Sequence, residues 1–403
     1  MESFYENFRN STFNSEPVRY FSDIYESCRA GFINEIEDAA YFYSRVKINH
    51  CSIPDFYGDK LSIDYACLYP AEPKNLIILT SGVHGIEGFT GSAVQRMFIR
   101  EIIPKIDTRK TGCLIIHGIN PWGMKYYRRV TVNNVDLNRN FDTSVKLFKR
   151  FNSGYARLNN LLNPSSKVNK TNAHFSYFIL SVIFNLINCR INSIQQAMLE
   201  GQYSFPKGVY FGGDSFERQK DILQNLIIEK VKNYEKILFI DLHTGYGPWG
   251  NLQIFGTKTE NNFYKDYIRS VFRNQKIDWP EDNKFFSNKG DLCVLVSDIV
   301  KDKISIPVCF EYGTIKNSNV FGLLKSLHTV ILENQGFHNG YTDNRLKRRV
   351  QKLYRELFYP SSAEWKRKII EQSRNVLSDS CGNLELLFST GYRNLNKKTG
   401  DNC

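Results

Sequence analysis

The chain has 403 residues, 42% of them hydrophobic and 14% aromatic, enough to bury a substantial core in one large domain or two ordinary ones. Its formal net charge is +12, spread thinly apart from local runs at Lys347–Lys352 and Lys366–Lys368. The totals describe a globular chain, and its longest apolar stretch, 175–187, is broken by Ser and Asn and too short to cross a bilayer.

Taken in order, residues 1–17 read as a flexible, polar start. Helical spacing runs from Tyr20 to about Val46, with Ser22 or Asp23 as the cap. Leu61–Tyr69 alternates like a strand, and a turn leads into a buried strand at 75–80. After Ser81-Gly82 the chain presents His84 and Glu87, then a helix from about Gly91 to Ile103. A second buried strand, Cys113–Ile116, runs into His117 and Asn120, and 126–141 reads as a structured loop. The segment 145–200 is irregularly helical, with 175–187 expected as a core-facing helix, and 201–213 is a Gly/Pro/aromatic loop. A helix at about 215–232 leads to a third strand, Lys236–Ile240, ending at Asp241 and His243. Leu252–Phe255 is a short strand, and a fourth buried strand, Ile304–Phe310, delivers Glu311. Residues 318–375 are mostly helical, and 376–403 read as a polar tail. Strands alternating with helices predict one α/β domain with a mostly parallel sheet.

No basic-then-apolar leader opens the sequence, and its nine cysteines are scattered without a CxxC, which fits reduced thiols in a cytoplasm. The charge reads first as a solvated Lys/Arg-rich surface and second as a landing site for an acidic protein, nucleic acid or membrane surface. No zinc-finger spacing or RNP-like motif favours nucleic acid.

A parallel sheet gathers its strand ends on one edge, where ligands bind in open α/β folds. His84, Glu87 and His243 are there the imidazoles and carboxylate that a metal hydrolase needs, with one position left for water. Glu311 is the natural general base for that water.

The order HGIEG, NPWG, RRVTVNNVDLNRNF, DLHTG and FEYGT resembles the zinc metallocarboxypeptidase (carboxypeptidase A-like) superfamily over roughly residues 18–375. YFSDIY, HGIEGFTGS and GQYSFPKGVYFGG look like one uncharacterised, mainly bacterial branch of it. The resemblance implies a three-layer α-β-α fold with a mixed, mostly parallel sheet, here with a helical insertion at about 145–213. It implies one zinc ion held by His84, Glu87 and His243, with Glu311 as catalytic glutamate. Asn138 and Arg139 match the pair that receives a terminal carboxylate, and Arg129 the oxyanion-stabilising arginine, with Arg128 as its neighbouring alternative. Asp136 matches the acid that orients the first histidine. No tyrosine between His243 and Glu311 carries a clear motif, although Tyr246, Tyr264 and Tyr267 fall there. The implied substrates are peptides losing a C-terminal residue or, alternatively, N-acyl amino acids. A non-catalytic or basic protein docking on an acidic partner is the remaining alternative.

Overall fold

The computed structural model describes residues 17–54, 58–186, 200–258, 262–280, 290–316 and 320–386. Its frame is a single sheet built from β1 (Arg45–Ile53), β2 (Leu61–Tyr69), β3 (Asn75–Ser81), β4 (Thr111–His117), β5 (Lys236–Thr244), β6 (Leu252–Gly256), β7 (Ile277–Asp278) and β8 (Ile304–Tyr312). The strand order is β1-β2-β4-β3-β5-β8-β6-β7. The central block β4-β3-β5-β8 is parallel, while β2 joins β4 and β6 joins β8 in antiparallel fashion. Every residue of β3, β4 and β5 is buried, which explains their near-continuous apolar sequences.

Alternate side chains of these strands feed two cores. Ile77, Leu79, Leu238 and Ile240 point to one face. There they meet α1 (Tyr25–Ala39), α2 (Gly88–Met97), α7 (Asn262–Val271) and α11 (Ala363–Leu386). Leu76, Ile78, Ile237 and Phe239 point to the other, against α6 (Arg218–Lys230) and α8 (Leu292–Ile299). The result is a mixed eight-stranded sheet between two helical layers, as expected. A separate satellite core joins α4 (Ser153–Leu162) and α5 (Phe175–Leu186) to α9 (Val320–Asn339). The short α3 (Pro121–Lys125) and α10 (Asn344–Phe358) complete the helices used below.

Three expectations need correcting, and two helices were not anticipated. The N-terminal helix ends at Ala39, and β1 follows as an edge strand whose mostly exposed side chains dilute the alternation. α7 and α8 had no counterpart in the reading from sequence. α5 is not simply core-facing: Phe178 and Val182 are buried, whereas Leu180, Ile183 and Phe184 are 66%, 54% and 73% exposed. The C-terminal helix continues to Leu386, burying Val376, Leu377, Cys381 and Leu384, so 376–386 is part of the fold rather than a tail. Residues 1–16, 187–199 and 387–403, on which other expectations fell, lie outside the described residues.

Candidate metal centre

Gly82, at φ +76°, turns the chain out of β3 so that His84 and Glu87 come forward on one 3₁₀ turn. Gly85 between them is set by packing, because a Cβ there would lie 2.1 Å from the Gly123 backbone. His243 is the penultimate residue of β5, and the parallel register places it beside Glu311, penultimate in β8. Both residues are therefore inside their strands rather than just beyond them.

The first three side chains converge. Nδ1 of His84 lies 3.1 Å from Nδ1 of His243 and 3.0 Å from Glu87 Oε1. His243 Nδ1 is in turn 3.1 Å from Glu87 Oε2, which also accepts the Thr244 N–H at 2.9 Å. All three residues are buried.

Each imidazole is held from behind by a carboxylate. His84 Nε2 is 2.9 Å from Asp136 Oδ1, and His243 Nε2 is 2.6 Å from Asp241 Oδ2. An ionised carboxylate only accepts, so each neutral ring carries its proton on Nε2 and turns the Nδ1 lone pair inward. Two lone pairs and a carboxylate this close repel one another unless a cation lies among them. Among the described residues this is the group of His, Cys, Asp and Glu side chains able to hold a metal ion, and its N/N/O donors fit a divalent one. Arg129 Nη2 also approaches His84 Nε2, at 2.6 Å, and Asp136 Oδ2 at 3.3 Å. Two donors do not bond each other, so the attraction holding Arg129 there is its ion pair with Asp136.

The carboxyl groups divide electrostatically. Burial pushes Glu87 up, but positive charge and N–H hydrogen bonds from the His84 and His243 imidazoles, in their protonated form, outweigh it and hold the carboxyl well below the usual range. Burial opposes Asp136 in the same way, and Arg129 and His84 overcome it. Burial works against charge on His243 too, yet Asp241 and Glu87 raise its pKa well above the ordinary value. A proton and a metal ion thus compete for one seat. Glu311 goes the other way: burial and repulsion from Glu87 push it up to about 8, although the Tyr246 N–H donates to its Oε1 at 2.8 Å. A carboxyl tuned near neutrality can both take and return a proton.

These residues line a cleft of about 210 Å³ that also receives Arg129, Asn138, Arg139 and Tyr246. Arg139 is buried, has no carboxylate partner among the described residues, and leaves its Nε without an acceptor. Its Nη1 donates to the Asn138 carbonyl at 2.8 Å. Asn138 reaches the cleft but its amide is engaged at both ends, donating to Asp291 Oδ2 at 2.9 Å and accepting from the Leu292 N–H at 3.0 Å. It ties the Arg139 loop to the start of α8.

Arg128 is a correction. Its guanidinium turns away from the cleft, donates to Glu333 at 2.9 and 3.2 Å, and stacks 3.7 Å over the Phe337 ring. Tyr267 is buried in the core and Tyr264 does not line the cleft. Three contributors were not assigned from sequence. Asp241 has a local signal, sitting two residues before His243 on the same strand face. Asp291 caps α8 through the Cys293 N–H at 2.8 Å, visible only as an N-cap pattern. Tyr210 lines the cleft from a left-handed backbone at φ +57°, for which the sequence offers no sign.

The cluster of two imidazoles and a carboxylate at the sheet edge, each imidazole backed by an acid, is a candidate metal site on a mixed α/β fold. The chain belongs to the family described as "Protein of unknown function (DUF2817)", whose model matches residues 21–372. No curated protein matches it in sequence. Among solved structures, bovine thrombin-activatable fibrinolysis inhibitor in complex with tick carboxypeptidase inhibitor is 11% identical, covering 79% of this chain and 97% of that chain at a TM-score of 0.44. Carboxypeptidase A from Helicoverpa armigera is 15% identical, covering 85% and 76% at a TM-score of 0.45. A succinylglutamate desuccinylase from Silicibacter sp. TM1040 is 12% identical, covering 73% and 67% at a TM-score of 0.37.

Proposed function

We propose that the chain is a zinc-dependent hydrolase that cleaves an amide bond next to a free carboxylate, releasing C-terminal residues from peptides. The observation that carries this reading is the 3.0–3.1 Å approach of the His84, Glu87 and His243 donor atoms beside Glu311. His84, Glu87 and His243 would hold one zinc ion, which supplies Lewis acidity and brings the pKa of water down to about 7.

The chain's own residues do the rest. Glu311, held beside His243 by the strand register, takes the proton of the attacking water and returns it to the leaving amine. Arg129, fixed by Asp136, offers N–H groups to the oxyanion that develops on the carbonyl oxygen. Arg139 binds the substrate carboxylate, and Asn138 positions the arginine's loop. Asp136 and Asp241 hold both imidazoles in the tautomer that turns Nδ1 inward.

The volume of about 210 Å³ supports a second reading, because it is below the roughly 300–1,000 Å³ of ordinary small-molecule sites. Small N-acyl amino acids would suit such a space. The test is to load purified protein with zinc and assay a panel of peptides, their C-terminal amides and N-acyl amino acids. Release of C-terminal residues from free-carboxylate peptides alone is the expected result; hydrolysis of N-acyl amino acids alone would favour the second reading. No turnover of either class by zinc-loaded protein would reject both.

A further inference from the structure

We propose that a basic groove behind the cleft binds an acidic, amphipathic polypeptide segment. The groove has a volume of about 1310 Å³ and lies between the start of α5, α9 and the start of α10. Lys170, Lys325, Arg345, Arg348 and Arg349 line it and are exposed, and none forms an ion pair among the described residues. The one acidic residue among the described lining residues, Asp343, caps α10, its Oδ1 accepting the Leu346 N–H at 2.8 Å. Outside the groove lining α10 carries two more exposed lysines, Lys347 and Lys352, and its only acid is Glu356. Unpaired cations at this density repel one another, and an anion relieves that repulsion.

The groove's shape and floor select among anions. Its buried lining combines Leu332 and Leu346 with His328 and Thr329, Phe175 is half-buried beside them, and Phe321 and Leu353 stand 64% and 41% exposed. A bilayer presents charge as a plane and does not reach the floor of a recess. A single-stranded nucleic acid stacks successive bases on several aromatic faces, and the groove offers one exposed Phe, Tyr or Trp ring among its described lining residues, Phe321. Phe175 is already packed on Phe178, Phe321 and His328, with ring centroids 6.2, 6.4 and 5.8 Å away. A peptide alternating carboxylate and apolar side chains satisfies both layers, with its carboxylates on the guanidinium rim and its apolar groups below. The groove shares α9 with the cleft, which is walled by Leu323, Leu327 and Val330 of the same helix. A partner held here therefore lies against the cleft wall without entering the cleft, and its binding does not depend on the proposed hydrolysis.

The test uses the purified full chain and fluorescence anisotropy with a fluorescein-labelled peptide of alternating Glu and Leu. A Lys-for-Glu peptide, oligothymidylate and phosphatidylglycerol vesicles are the comparators. Saturable binding of the acidic peptide alone is expected. Combined Arg345→Glu, Arg348→Glu and Arg349→Glu should weaken it at least about tenfold. The exposed pair Lys146→Glu and Lys149→Glu, outside the groove, should leave it unchanged. Thermal unfolding of each variant establishes that it is folded. Equal weakening by both sets would overturn the groove in favour of bulk charge attraction. Tighter binding of the oligonucleotide or the vesicles than of the peptide would also overturn it, as would absence of saturable peptide binding.

Discussion

α9 separates two surfaces built on opposite principles. Toward the cleft, His84 and His243 are each backed by an acid, Arg129 is paired with Asp136, and the donor atoms sit 3.0–3.1 Å apart. Toward the groove, five cations have no ionic partner among the described residues and all are exposed. The cleft spends burial on fixing a few atoms, so a single substitution there has an all-or-none effect. The groove keeps its charges hydrated, so each contributes little and the effects accumulate. Arg139 is the intermediate case, a buried guanidinium on the cleft side that lacks a carboxylate partner among the described residues.

The sharpest way to break this contrast is to remove a ligand. His84→Ala or His243→Ala should take the metal content of purified protein from one ion per chain to almost none, read by elemental analysis. Unchanged stoichiometry in either variant would dissolve the centre as drawn. Glu311→Gln comes next. It should keep the metal and lower kcat by about 10²–10⁴-fold, the usual worth of a positioned acid–base group. Metal loss in this variant would instead make Glu311 a ligand.

The candidate cluster of His84, Glu87 and His243 was legible in the sequence because polar residues stand out at the ends of apolar strands. DLHTG and FEYGT each place one imidazole or carboxylate after four or more buried positions. Asp136 was legible for a different reason, the family likeness of NNVDLNRNF. What could not be read depends on side-chain direction. Arg128 and Arg129 are adjacent in a loop without a period, and only the folded loop sends one toward Glu333 and the other toward Asp136. α5 misled because its apolar content is high on every face, while only the Phe178 and Val182 side is covered. The end of α11 misled in the opposite sense. Val376, Leu377, Cys381 and Leu384 keep a helical apolar stripe among Ser, Asp, Gly and Asn, and the polar composition hid it.

Two smaller effects sharpen the comparison on the cleft side. Asp241→Asn keeps every ligand but removes the anion behind His243, and metal affinity measured by chelator competition should fall about 10–100-fold. An unchanged affinity would leave the Asp241 contact without a role in metal binding. Arg139→Ala should cost about 1.5–3 kcal/mol in binding substrates with a free carboxylate, the typical value of a hydrogen bond to a charged group. C-terminally amidated substrates should be nearly indifferent, and an equal loss on both would remove Arg139 from carboxylate recognition.

Arg128 supplies the least catalytic change and the clearest control, because it joins the cleft loop to α9 without facing either surface's ligand. Its pair with Glu333 is buried, with side-chain exposures of 4% and 11%, and Phe337 covers the guanidinium. Arg128→Ala leaves Glu333 as an unpaired buried carboxylate, so unfolding stability should drop by about 3–5 kcal/mol. Arg128→Ala together with Glu333→Gln should recover part of that loss, because no buried charge is then stranded. At a temperature where the single variant remains folded, its KM for a free-carboxylate peptide should equal that of the parent, whereas Arg139→Ala raises it. A raised KM in folded Arg128→Ala with Arg139 intact would mean that the position of α9 itself sets substrate affinity. The helix would then have to be counted as part of the carboxylate site rather than as the wall between two surfaces.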